Sequence, residues 1–232
     1  MRQNLICSSI SRIFISSCLL LLVATEARPQ VSEEEILALE HRKIPFFNGV
    51  AVSFDFVGAA QLAFGDYGQY EAALRVNLRN KYFPIVEIGY GKADSENVMT
   101  GMSYKTKAPY GRIGLDFNLV KNKRDVNRLY GGLRYGYTSY KFDVVGIGIT
   151  DPEWGDPVDF RVSDVSANYH WMEIVFGVDV RLWGPVRLGW SGRYKRRLFH
   201  DDGTIGNTWY VPGYGKQGNA RLGGTFNIIL EL

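Results

Sequence analysis

Residues 109–137, PYGRIGLDFNLVKNKRDVNRLYGGLRYGY, hold two alternating runs separated by a polar segment. In the first, Ile113, Leu115, Phe117 and Leu119 share one parity and Arg112, Gly114, Asp116 and Asn118 the other. In the second, Leu129, Leu133, Tyr135 and Tyr137 oppose Tyr130, Gly132, Arg134 and Gly136. Successive side chains of a strand point to opposite faces, so each run is a strand with an apolar face and a charged face. Residues 121–127 are short and polar, which makes the unit a β-hairpin.

The same pattern extends in both directions. Val50, Val52, Phe54 and Phe56 begin a first strand that is expected to run towards Phe64, before a turn at 65–68. Leu74, Val76 and Leu78 mark the second strand, and Val86, Ile88 and Tyr90 the third. Met172, Ile174, Phe176, Val178 and Val180 mark the sixth, Val186, Leu188 and Trp190 the seventh, and Leu222, Phe226, Ile228 and Leu230 the eighth. Residues 92–108, 142–165 and 197–215 are rich in Gly, Pro and polar groups and read as long loops.

The charged strand residues share one parity: Asp55, Glu71, Arg75, Glu87, Arg112, Asp116, Arg134, Glu173, Asp179, Arg181, Arg187, Arg193, Lys195 and Arg221. The opposite parity carries no charge over the roughly nine residues that a membrane-spanning strand needs. In a soluble barrel the apolar face would be the core and the charged face would meet water, but three features favour lipid on the apolar side. Glycines such as Gly89, Gly114, Gly136 and Gly177 alternate with the long charged side chains, as packing inside a narrow barrel requires. Short and long connections alternate, with the short first junction as an exception. Aromatics including Tyr82, Phe83, Tyr110, Tyr137, Tyr140, Trp183 and Tyr194 gather near expected strand ends, as interfacial girdles do. The expected fold is all-β, an eight-stranded antiparallel up-and-down outer-membrane β-barrel with a short N-terminal helix.

The ends agree with export. Arg2 and Arg12, an apolar run over 13–24 and Thr25-Glu26-Ala27 predict a secretory signal peptide of residues 1–27. Residues 28–45 form a linker with a helix over 31–43, where Ser32 and Glu35 make a capping box, and the barrel takes 46–232. Both cysteines, Cys7 and Cys18, fall in the signal, which excludes thiol chemistry and cysteine metal sites from the mature chain. The formal charge of +3 drops to +2 on cleavage, and nothing points to nucleic acid. No cofactor or metal is expected. The expected location is the outer membrane of a Gram-negative bacterium, as a monomer in contact with outer-membrane lipid.

The segments Asn80-Lys81-Tyr82-Phe83-Pro84, Tyr104-Lys105-Thr106-Lys107-Ala108-Pro109-Tyr110, Leu198-Phe199-His200-Asp201-Asp202-Gly203 and Asn207-Thr208-Trp209-Tyr210-Val211-Pro212-Gly213 resemble an uncharacterised domain-of-unknown-function family of exported Bacteroidota proteins. The resemblance implies a Gram-negative envelope protein and a small barrel, and it carries no activity with it.

An eight-stranded barrel is just wide enough for side chains to fill, so the inward acids and bases are expected to form a sealed ion-pair network. Trp154, His200, Asp201, Asp202, Trp209, Tyr210 and Tyr214 lie in the expected long loops and form a candidate external binding surface for an envelope or external partner. His200 with the neighbouring aspartates reads as a turn before it reads as a metal site or general base. Two alternatives remain open at this point: a soluble lipocalin-like ligand-binding barrel, and a lipid-modifying enzyme using His170. The second lacks a Ser or acid on the outward face beside His170, so no catalytic residue is assigned and the chain is not expected to be an enzyme.

Overall fold

The alternating runs become strands, and the strands close on themselves. The computed structural model describes residues 44–97, 101–150, 157–201, 203, 206 and 208–232. The expected signal peptide and N-terminal helix lie outside them. Strands β1 (Phe47–Asp55), β2 (Tyr67–Leu78), β3 (Tyr82–Asn97), β4 (Met102–Asn118), β5 (Arg128–Thr150), β6 (Pro157–Trp183), β7 (Val186–Asp201) and β10 (Ala220–Glu231) make a closed antiparallel barrel in the order β1-β10-β7-β6-β5-β4-β3-β2. The first and last strands pair, from Ala51 opposite Glu231 to Asp55 opposite Asn227, so no edge is left open. Two further strands, β8 (Tyr210–Val211) and β9 (Gly215–Lys216), form a small separate hairpin.

The first junction differs from expectation. The chain leaves β1 as a helix, α1 (Phe56–Phe64), rather than continuing as strand. Asp55 stops the strand: its carboxylate accepts from the Val57 and Gly58 backbone N–H groups, 3.1 Å each, and so caps the helix. The sequence FVGAAQLAF has no period-two polarity to hold it in a sheet. With α1 in place, the first junction at the loop end of the barrel, which β1–β2, β3–β4, β5–β6 and β7–β10 share, spans residues 56–66 and is no longer short, whereas β2–β3, β4–β5 and β6–β7 connect at the other end, the turn end. The short-loop exception disappears.

The long loops expected at 92–108 and 142–165 are largely strand. β3 and β4 stay paired up to Asn97 opposite Met102, and β5 and β6 up to Thr150 opposite Pro157. Alternation persists there with its polarity reversed. Lys105, Lys107 and Lys141 point outward and are exposed, while Tyr104, Ala108, Tyr140, Phe142, Val144, Val165 and Ala167 point inward and are buried. Lower down, Arg112, Asp116, Arg134, Glu173 and Asp179 are the buried inward residues, and Ile113, Leu133, Ile174 and Phe176 are exposed. The barrel therefore contains two stacked interiors, an ionic one towards the turn end and an aromatic one towards the loop end.

Candidate functional site

The ionic interior is built from positions of six strands that parity alone directs inward. Five carboxylates, Glu71, Glu87, Asp116, Glu173 and Asp179, meet five cations, Arg75, Arg112, Arg134, Arg193 and Lys195. Arg193 is the hub. It reaches Glu87 at 2.8 and 3.1 Å, Glu71 at 3.2 Å and Glu173 at 3.4 Å. Arg112 donates hydrogen bonds to Glu87 at 2.7 Å and Glu71 at 2.8 Å and is ion-paired with Glu173 at 3.0 Å. A lower tier joins Arg75 to Asp179 at 2.5 Å and Arg134 to Asp116 at 2.9 Å. β7 and β3 stand four places apart in a ring of eight, as do β2 and β6. The Arg193–Glu87 and Arg75–Asp179 bridges thus cross the full diameter. Between them a void of about 10 Å³ remains among Glu71, Glu87, Arg134 and Arg193, about the space of one water.

The aromatic interior is closed by the segment after β7. The β8–β9 hairpin folds into the barrel, and Tyr210, Val211 and Tyr214 are buried against Tyr104, Tyr110, Tyr169 and Trp171. The Tyr104 hydroxyl donates to the Tyr210 carbonyl at 2.8 Å, and Tyr214 packs on Tyr169 with ring centroids 4.8 Å apart. Burial pushes the Tyr210 phenol above its ordinary pKa, so it remains a neutral donor, here to the Gly68 carbonyl at 3.3 Å. The two interiors are latched together. The Gly213 carbonyl accepts from Arg112 at 3.0 Å and from Lys195 at 2.7 Å, and the Trp171 indole N–H donates to Glu173 at 2.6 Å.

Several expectations are corrected by this arrangement. Tyr210 and Tyr214 are interior, with Trp209 partly buried against them, so they are not an external surface. Their aromatic area is covered because the reversed strand extensions offer an apolar chamber to fill. His200 and Asp201 are exposed at the end of β7, while Trp154 and Asp202 lie outside the described residues. Tyr110, Tyr140 and Phe83 point inward and cannot belong to an outward girdle, whereas Tyr82, Tyr137, Trp183 and Tyr194 are exposed. Asp55 is buried but accepts from backbone N–H groups, including Phe226 at 3.1 Å, because its place beside α1 makes it a cap. Arg181 and Arg221 are exposed: they stand where the strands leave the barrel, and Arg221 bonds the carbonyls of Lys216 and Gln217. Arg187 is buried at the turn end and joins a separate group with Arg128 and Glu231, two residues that the sequence reading leaves out. Both lie on the inward parity, which is the signal that could have found them.

His170 faces outward between aromatics. Its Nδ1 lies 2.6 Å from the Tyr135 hydroxyl and its ring 4.6 Å from that of Tyr137. Among the described residues, no group of three or more His, Cys, Asp or Glu side chains is placed to hold a metal.

Glycine is required where interior aromatic rings press on neighbouring backbone, in the wall and in the plug. A Cβ on Gly136 would lie 2.2 Å from the Trp171 indole, and one on Gly213 would lie 2.5 Å from the Tyr110 ring. Gly213 also has φ +80°, in the left-handed region. Gly213→Ala is expected to cost about 1–3 kcal/mol from overpacking plus backbone strain. Gly215→Ala, at φ +110° with open space around it, carries strain without the clash and should cost less. The midpoint of the heat-induced shift in gel mobility measures both.

The model of the domain of unknown function DUF6048 matches residues 10–231. The chain belongs to the DUF6048 family. No curated protein matches it. Among solved structures, this DUF6048 chain is similar to Ail, the attachment invasion locus protein of Yersinia pestis, with 11% identity, 79% of this chain and 98% of that one covered, and a TM-score of 0.42. It is likewise similar to Neisserial surface protein A, at 11% identity over 79% and 94% of the two chains with a TM-score of 0.40. A major outer membrane protein from Thermus thermophilus matches at 14% identity over 79% and 98%, with a TM-score of 0.39.

Proposed function

We propose that this DUF6048 protein is a sealed outer-membrane barrel that acts as a structural or binding protein through its loop end. The reversal of polarity on both faces at one level of the wall carries the reading. Outward positions are uncharged over residues 82–90, 109–117, 129–137, 186–194 and 222–230. Nine residues at about 3.3 Å each, tilted by about 40°, stand about 23 Å tall, close to the roughly 25 Å apolar band of such barrels. Immediately beyond, the outward positions become Lys92, Lys107 and Arg196, all exposed, and the interior turns aromatic. A wall in water throughout has no reason to exchange its faces, whereas a wall leaving lipid for water must do so.

The turn end then faces the periplasm, and the loop end, with the β5–β6 extension and α1, faces outside. An apolar ligand chamber of the lipocalin type has no room, because the inward face within the band is ionic and the aromatic chamber is filled by its own plug. The protein should fractionate with membranes and need detergent for release; recovery in the aqueous phase would contradict the reading. Reconstituted in planar bilayers, it is expected to produce no sustained single-channel steps, since bridges across the diameter and the plug both block the path. Regular openings from pure protein would overturn the sealed lumen.

A further inference from the structure

The turn end holds a second charged group, unlike the balanced one above it. Glu231 receives three guanidinium groups: Arg128 as a close ion pair, Arg181 at 3.4 Å and Arg187 at 3.5 Å. Arg187 is buried and spends its terminal nitrogens mainly on the Val126 carbonyl, at 3.0 and 2.5 Å. Its Nε is buried and has no hydrogen-bond partner among the described residues. These side chains, with Arg124, line an open cavity of about 330 Å³, within the range of small-molecule sites. Among the described residues that line it, four arginines stand beside two carboxylates, Glu231 and Asp125, an excess of two positive charges. The network above it has one acid for each base. Excess positive charge held around a cavity, with a buried donor unmet, is the electrostatic complement of an oxyanion.

We propose that the turn-end cavity binds a phosphate group, through Arg124, Arg128, Arg181 and Arg187. Guanidinium forks match tetrahedral phosphate oxygens, and a phosphate monoester of about −1.5 to −2 charge neutralises the excess. Glu231 sets the arginines in place: it pairs with Arg128, Arg181 and Arg187 at one mouth. The phosphate can belong to a free phosphate ester or to a lipid headgroup at the membrane surface. Only the lipid source rests on the outer-membrane reading.

The test is calorimetric titration of the purified protein in non-ionic detergent, first with inorganic phosphate and then with dihexanoyl phosphatidic acid, a lipid whose headgroup is a phosphate monoester, below its micellar concentration. One site per chain is expected. Arg124→Gln and Arg181→Gln stand at the rim and leave Glu231 paired with Arg128 and Arg187, so both should keep the folded gel mobility. Each is expected to weaken binding by about tenfold or more, the loss of one charge-assisted contact. Lys121→Gln, an exposed charge of the same turn outside the cavity, should change affinity less than about twofold, as a screened surface charge does. Binding of phosphate assigns a free ester, and binding of the lipid alone assigns a headgroup. Binding of neither, or equal weakening by Lys121→Gln and the two arginine variants, would overturn the site. Because the measurement is made in detergent, its failure leaves membrane fractionation untouched, and the two proposals fail separately.

Discussion

Arg193→Ala is expected to destabilise the barrel by about 3–5 kcal/mol, the cost of leaving buried charge without its partner. Arg193 is 4% exposed and joins three carboxylates from three other strands. Removing it leaves Glu71, Glu87 and Glu173 with Arg112, Arg134 and Lys195, and empties the centre of the bridge across the diameter. The destabilisation should therefore be partly reversed by Glu87→Gln in the same chain, since one uncompensated charge disappears with it. A double-mutant cycle by urea unfolding in detergent reads the coupling. Additive losses in the double variant would mean that Arg193 matters for its volume and not for its charge.

Ile113→Arg is expected to cost about 2–4 kcal/mol in a bilayer, the penalty for a cation at the middle of the lipid-facing band. Ile113 is 61% exposed, at the centre of residues 109–117 on β4, with uncharged Val86 and Tyr135 beside it. Were this face in water, replacing an exposed isoleucine with arginine would fall within about 0.5 kcal/mol of neutral. Folding into lipid vesicles, followed by gel mobility, separates the two outcomes by several-fold in the unfolding midpoint shift. Lys107→Leu, two positions beyond the band, should have little effect on the same measurement, because that position already lies in water.

The reversed segments explain where sequence reading stops. Tyr104, Thr106 and Ala108 alternate with Lys105 and Lys107 as regularly as Ile113 and Leu115 alternate with Arg112 and Gly114. They read as loop because the inward parity, charged elsewhere, turns apolar there. Arg181 and Arg221 read as interior because parity says which side a residue faces and not how far the wall extends. Tyr210 and Tyr214 sit in a Gly-rich segment whose aromatics suit a surface or a plug equally well. The choice depends on Tyr169 and Trp171, more than thirty residues away, forming a wall for them to fill.

Strand, face and turn are settled by the amino-acid order itself, because a period of two residues is a local property. Arg112 and Asp116 point away from Ile113 and Leu115 whatever the rest of the chain does. The pairing of charges, the buried plug and the unbalanced turn-end cavity are decided only by closure of the ring. Arg193 and Glu87 are 106 residues apart, and Arg75 and Asp179 are 104. Their charges reach one another because an eight-stranded wall brings opposite strands within the length of two side chains, a distance that no local pattern encodes.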